Sequence, residues 1–188
     1  MKSESKIERL SFFREVLRKN FNLLFFTSFF LNEEATRKAS VLYAFCRLVD
    51  DLADEGGEDD AENLNTLAIF FSGLGINRLT GQGRDSELGD FSENERLIVN
   101  EFLDLDLPIA VTQTLIEGVL GDTQDVLLED AEAVVKYSYR VAGTVGLLMA
   151  TVLGAREKGA FFHAIDLGIA MQLTNICRDV QEYATMGR

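Results

Sequence analysis

The chain has 188 residues, 47% of them hydrophobic, with one proline and no tryptophan, which suits one ordered domain with a substantial core. Its 18 Lys and Arg stand against 31 Asp and Glu, a formal net charge of -13. That balance excludes nucleic acid as a partner and a polybasic grip on anionic lipid, while apolar contact with a membrane stays open.

The opening Met-Lys-Ser-Glu-Ser-Lys-Ile-Glu mixes acids and bases and lacks the apolar core of a cleavable signal. Ile7, Leu10, Phe13 and Leu17 form a helical stripe. The Phe-rich run Phe21 to Leu31, interrupted by Asn22, Thr27 and Ser28, falls short of the roughly 20 residues that span a bilayer and reads as a buried helix. Asn32 has the chemistry of an N-cap, with Glu33 and Glu34 in the first turn of a helix predicted to run to about Glu55. Within it Tyr43, Cys46, Val49 and Ala53 make a stripe that can face a core, and Asp50 and Asp54 are i, i+4 neighbours with Asp51 beside them. Three Asp and Glu55 crowd the last turn, where the helix macrodipole is negative and each added acid costs roughly 0.3 to 1 kcal/mol. Such an acidic pair suits a hard cation held between carboxylates and phosphate oxygens; a solvated helix end is the plain alternative.

After Gly56-Gly57 the sequence predicts an acidic link, Glu58 to Glu62, a short helix from about Asn63 to Phe71, and a loop from Ser72 to Asp90 carrying five glycines. Neither Gly73-x-Gly75 nor Gly81-x-Gly83 is completed at dinucleotide spacing, so no nucleotide site is read there. Ser92-Glu-Asn-Glu95 matches a capping box and starts a helix through about Leu103. Pro108 suits the first position of the next helix, whose apolar face carries Leu115, Val119 and Val126, with Asp122 and Asp125 near its end. Ala131 to Leu153 reads as one long apolar helix. Its Gly143 and Gly146 each cost about 1 kcal/mol relative to Ala and imply a close approach, such as a tight helix crossing. The last helix is predicted from about Glu157 to Ala184, with Gly187 placed to stop it. His163 is remote from every acidic motif and reads as a surface or packed residue. No segment alternates as a strand does, so the fold is expected to be all-α, a single helical domain over residues 1–188.

One pattern occurs twice. Cys46-Arg47-Leu48-Val49-Asp50-Asp51 is echoed by Cys177-Arg178-Asp179-Val180-Gln181-Glu182, and in both an Arg precedes an acid by four residues, Arg47 to Asp51 and Arg178 to Glu182. Two such helices suggest two walls of one site. The only two cysteines lie in these copies without zinc-site neighbours; both read as buried structural thiols in a reducing cytoplasm.

Phe45-Cys-Arg-Leu-Val-Asp-Asp-Leu-Ala-Asp54, Tyr137-Ser-Tyr-Arg-Val-Ala-Gly-Thr-Val-Gly146 and Gln172-Leu-Thr-Asn-Ile-Cys-Arg-Asp179 closely resemble, in order, the three signature stretches of squalene and phytoene synthases. The Val-Ala-Gly-Thr-Val-Gly-Leu-Leu-Met run is most similar to the bacterial phytoene or dehydrosqualene branch. The resemblance implies an isoprenoid-synthase-type helical bundle, incomplete at the C-terminal end. It also implies head-to-head joining of two prenyl diphosphates through a cyclopropyl intermediate. Geranylgeranyl diphosphate giving phytoene is favoured, with farnesyl diphosphate giving squalene or dehydrosqualene open. By the same resemblance Asp50, Asp51 and Asp54 on one wall and Asp179 with Glu182 on the other would hold Mg²⁺, or Mn²⁺. Arg47 and Arg178 would bind diphosphate oxygens, Tyr43 and Tyr139 would stand near them, and Asp122, Val141, Gln172 and Asn175 would contact substrate. A kink at the glycines would open room for an isoprenoid tail.

Two positions depart from the family pattern. Phe21-Asn22-Leu23-Leu24 stands where the family has Ser-x-Ser-Phe, and Tyr183 stands where the second acidic motif ends in Asp. A phenol carries no negative charge near neutral pH. Because the family continues beyond the second motif with helices that close the bundle, the 188-residue chain is expected to turn over poorly and to self-associate through exposed apolar helix faces. A cytoplasmic location follows, with peripheral membrane contact open. A non-catalytic homologue serving as an assembly surface, and a head-to-tail prenyltransferase or terpene cyclase on the same architecture, are the alternatives.

Overall fold

The protein, as a computed structural model, is described at residues 31–54, 58–80, 88, 91–122 and 128–185, with backbone alone at 54, 58–61, 75–80, 122 and 181–185. The N-terminal stripe, the Phe-rich run up to residue 30, and Tyr183 as a side chain lie outside that set. All of the described elements are helices.

Asn32 caps α1 (Glu33–Asp54) as its chemistry requires, its side-chain oxygen accepting the N–H of Ala35 at 2.8 Å, and Glu33 and Glu34 fill the first turn. Val41, Leu42, Phe45, Leu48, Val49 and Leu52 are the buried face of α1. The stripe expected from the sequence is displaced from it: only Val49 is fully enclosed, while Tyr43, Cys46 and Ala53 are half-buried along its margin. Leu and Phe at the neighbouring positions are larger and take the interior.

α2 (Glu58–Thr80) corrects the sequence reading on both sides. The acidic link and the first part of the glycine-rich stretch are helical. Leu64, Leu67, Phe70, Phe71 and Leu74 recur at helical spacing and are all buried. Burying Leu74 contributes roughly 1.5 to 3 kcal/mol, more than the roughly 1 kcal/mol that Gly73 costs in the helix.

The Ser92 capping box opens α3 (Glu93–Leu103) as predicted: Ser92 Oγ accepts from Glu95 N–H, and the Glu95 carboxylate accepts from Ser92 N–H at 2.6 Å. Pro108 lies one position before α4 (Ile109–Asp122), its carbonyl accepting from Thr112 N–H. Asp130 caps α5 (Ala131–Ser138) through Ala133 N–H. The expected long helix is then interrupted by a π-helical turn, Tyr139–Gly143, before continuing as α6 (Thr144–Val152). Gly154, with φ of 79°, turns the chain into α7 (Lys158–Thr185).

α1 packs on α2, α3, α4 and α6, α2 packs on α4, and α7 lies along α5, the π turn and α6. An aromatic cluster ties the first three helices together. Phe45 of α1 stacks on Phe102 of α3 with centroids 3.8 Å apart, and both meet Phe71 of α2 edge-on. Gln113 of α4 also donates to Phe71 O at 3.0 Å.

The α6–α7 crossing is backbone on backbone. A Cβ on Gly146 would stand 2.1 Å from Ala164 O, and one on Gly168 would stand 2.3 Å from Ala142 O, so the tight crossing expected at the glycines is present. Elsewhere α7 is exposed, showing Phe162, Leu167, Met171 and Val180. Among the described residues its segment Lys158–Val180 is the one helix long and apolar enough to cross a membrane. His163 is on the surface. Cys177 is exposed, which corrects the expectation of a second buried thiol; Cys46 is half-buried.

Candidate functional site

Tyr43, Arg47, Asp50, Asp51 and Asp54 follow one another at helical spacing along the side of α1 that lies opposite its core face. Arg47 forms an ion pair with Asp51, four residues on, at the spacing the sequence indicated. Asp50 is exposed. Partial burial raises the pKa of the Tyr43 phenol; Arg47 opposes that, and Asp50 and Asp51 reinforce it. For Arg47 burial works against the charge, but the Coulomb pull and hydrogen bond of Asp51, with Asp50 behind them, outweigh it and raise the pKa. The four side chains are therefore one electrostatic group in which the guanidinium stays charged. Burial, with Asp50 adding to it, pushes the Cys46 thiol well up, so this cysteine is a neutral packing group. Asp54 is in the final turn of α1, its side chain outside the described set.

On α7 the half-buried polar residues Gln172, Asn175 and Asp179 are spaced three, four and seven apart, on the face that continues from Ile165 and Ile169. Arg178 is largely exposed. The expected pairing with Glu182 lies outside the described residues, as that side chain does; Arg178 Nε and Nη2 both donate to Asp179 Oδ1, at 3.1 and 3.0 Å. Tyr139 begins the π turn. A Cβ on Gly143 would stand 3.0 Å from its ring and 3.3 and 3.4 Å from Ile165 and Ile169, so Tyr139 lies beside the face of α7 that leads to Gln172. Val141 is half-buried and packs against the core. Asp122 ends α4, with its side chain outside the described set.

The structure thus brings together Tyr43, Arg47, Asp50 and Asp51 on α1, joins Arg178 to Asp179, and sets Tyr139 beside α7. The helices α1 and α7 both pack on α6 and make little direct contact among the described residues. Among those residues no three His, Cys, Asp or Glu side chains converge tightly enough to cage an ion. The donors on offer are all carboxylate oxygens, which fits Mg²⁺, an ion that takes one or two carboxylates and completes its shell from water and phosphate.

Sequence reading passed over Gly118, Thr144 and Gly168. Gly118 and Gly168 carried the same signal as Gly143 and Gly146, a glycine inside a helix where Ala is favoured. Thr144 falls inside the Tyr137–Gly146 signature stretch, but nothing in the sequence gave it a role of its own.

Residues 17–188 match the squalene/phytoene synthase family, and the chain belongs to it. It is 33% identical over 180 residues to a phytoene synthase of Cereibacter sphaeroides, covering 93% of this chain and 49% of that one. To a phytoene synthase of Thermus thermophilus it is 35% identical over 168 residues, 89% of this chain and 53% of the relative. The chain spans about half the length of the curated relatives it matches. A crystal structure of a dehydrosqualene synthase in complex with ligand superposes with a TM-score of 0.74 at 26% identity, over 98% of this chain and 61% of that one. The isoprenoid-synthase-type helical architecture expected from the motifs is therefore present.

Proposed function

We propose that this chain carries the diphosphate-binding part of a prenyltransferase that joins two prenyl diphosphates head to head. The observation that carries the reading is the Arg47–Asp51 pair in line with Tyr43 and Asp50 on α1. A guanidinium held charged beside two carboxylates can bind phosphate oxygens through its fork while the acids share a divalent cation. Asp54 extends the line by one turn. Asp179 with Glu182, Gln172 and Asn175 would form the opposite wall, and Asp122 and Val141 would border it.

Mg²⁺ held by Asp50, Asp51 and Asp54 would neutralise charge on a leaving diphosphate. Arg47 orients the phosphate oxygens, and Asp51 fixes the guanidinium by accepting from it. Tyr43 stays protonated and can donate a hydrogen bond, since its partial burial disfavours the phenolate. Arg178 would reach diphosphate by leaving Asp179, an exchange its exposure permits. The names of the relatives favour geranylgeranyl diphosphate and phytoene, with farnesyl diphosphate and dehydrosqualene second.

The test is incubation of the protein with each radiolabelled diphosphate and Mg²⁺, with extraction of apolar products and calorimetry of binding in parallel. Mg²⁺-dependent binding of a prenyl diphosphate that Asp50→Asn removes is the expected result. Binding that is indifferent to both Mg²⁺ and Asp50→Asn would overturn the reading.

A further inference from the structure

The turn Tyr139–Gly143 is where α-helical bonding gives way inside the long α5–α6 helix. Thr144 N–H reaches back five residues to Tyr139 O, so it does not serve Arg140 O, the acceptor that α-helical spacing would assign to it. The Thr144 hydroxyl takes over that acceptor, donating to Arg140 O at 2.6 Å, and Thr144 is fully buried. Thr144 thus contributes a backbone and a side-chain bond to the altered turn.

A turn with an extra residue is wider, and both neighbouring helices have lost side chains where it meets them. On α4, a Cβ at Gly118 would come 2.8 Å from Arg140 Cβ and 3.3 Å from Val141 Cγ1. On α7, a Cβ at Gly168 would come 2.3 Å from Ala142 O and 3.0 Å from Gly143 Cα. Such turns are rare in helices and concentrate at functional sites.

The extra residue changes which side chains share a face. Each residue of an α-helix advances about 100° around its axis. Removing the bulge would therefore swing Tyr139 by about that angle relative to Gly143 and Gly146, which are fixed on α7. Its ring would leave Gly143, Ile165 and Ile169. We infer that Thr144, Gly118 and Gly168 are positioning residues: they hold the π turn in place and so keep Tyr139 against the α7 face that carries Gln172. The inference rests on the proposed function in taking Tyr139 as a residue of the diphosphate site.

The test is NMR of the protein labelled with ring-¹³C tyrosine. The chain has four tyrosines, and Tyr139→Phe identifies the resonance of interest. Thr144→Val removes the hydroxyl at nearly constant shape, Thr144→Ser keeps it, and Gly118→Ala presses on the turn from α4 without touching a hydrogen bond. Thr144→Val and Gly118→Ala are each expected to move the Tyr139 ring resonance and leave that of Tyr43 in place. Thr144→Val should weaken Mg²⁺-dependent binding of inorganic pyrophosphate about tenfold, the size of effect that goes with one unmatched buried acceptor, and Gly118→Ala should weaken it in the same direction. Thr144→Ser is expected to restore both readouts.

A Tyr139 resonance unmoved in Thr144→Val and Gly118→Ala would overturn the inference, as would a moved ring with unchanged pyrophosphate affinity. If Thr144→Val does not fold, Gly118→Ala decides by the same two readouts. If the parent protein binds no pyrophosphate, the proposed function fails, and the ring resonance alone then decides whether these residues position Tyr139.

Discussion

Gly146→Ala tests the α6–α7 crossing on which the proposed second wall of the site depends. The added Cβ would stand 2.1 Å from Ala164 O and 2.8 Å from Ala164 C, where ordinary contact begins at 3.4 Å. Both of those atoms are backbone, so no rotamer change relieves the overlap and the helices must part by roughly 1 Å. Overpacking of this kind costs about 1 to 3 kcal/mol, and a backbone partner puts it at the upper end. Replacing a helical Gly by Ala returns about 1 kcal/mol. The net expectation is destabilisation by about 2 kcal/mol, which for a domain of this size lowers Tm by about 4 to 8 °C. Gly73→Ala is the matched control, because a Cβ there meets nothing within 4 Å; it should raise Tm by a few degrees at most. Thermal unfolding followed by circular dichroism reads both. A Gly146→Ala protein as stable as its parent, or as much stabilised as Gly73→Ala, would refute the close crossing.

Asp50→Asn and Asp54→Asn should each abolish Mg²⁺-dependent diphosphate binding in calorimetry while helix content stays unchanged, since removing charge from a negative helix end relieves repulsion. Arg47→Lys should weaken that binding although it keeps the charge, because the fork is lost; normal binding with reduced stability would make Arg47 a structural partner of Asp51 instead. Ser92→Ala should destabilise by about 1 kcal/mol through loss of the capping box, read in chemical denaturation. Stability should decline in alkali: the Cys46 and Tyr43 pKa values are raised above 9.0 and 10.0, so the folded state holds protons that the unfolded chain releases first, and stability present below pH 9.0 is lost above it. Cys46→Ala should flatten the first part of that decline in a pH series of denaturant midpoints.

Much of the fold could be read from residues because its signals were local. Asn32 and the Ser92–Glu95 pair are self-contained caps, and the Asp50-Asp51-x-x-Asp54 line needs only helical periodicity to share one side of α1. α2 was misread because five glycines between Ser72 and Asp90 look like a loop. What carries the helix past Ser72 is the burial of Leu74 beside Phe70 and Phe71, with a hydrogen bond from Gln113 to Phe71 O, contacts made across the chain. The π turn had no local signal for the same reason, although the resemblance implied a kink at the nearby glycines. Its Tyr-Arg-Val-Ala-Gly sequence has no special local preference, and the turn goes with a hydroxyl at Thr144 and two glycines on other helices. The exposure of Cys177 and of the apolar residues of α7 depends on which helices flank it, and no periodicity within α7 states that.

The Phe45, Phe71 and Phe102 cluster acts on α1 as a key acts on a shaft. Phe45 precedes Arg47 by two residues, about 200° around the helix, so the ring is seated behind the line of Tyr43, Arg47 and Asp50. Turning α1 by even one residue would draw Phe45 off the face of Phe102 and out of its edge contact with Phe71. The aim of the arginine is therefore fixed from the opposite side of its helix by rings buried in the core. Amides flanking Phe45 should accordingly be among the last to exchange with solvent, opening only when the whole domain does.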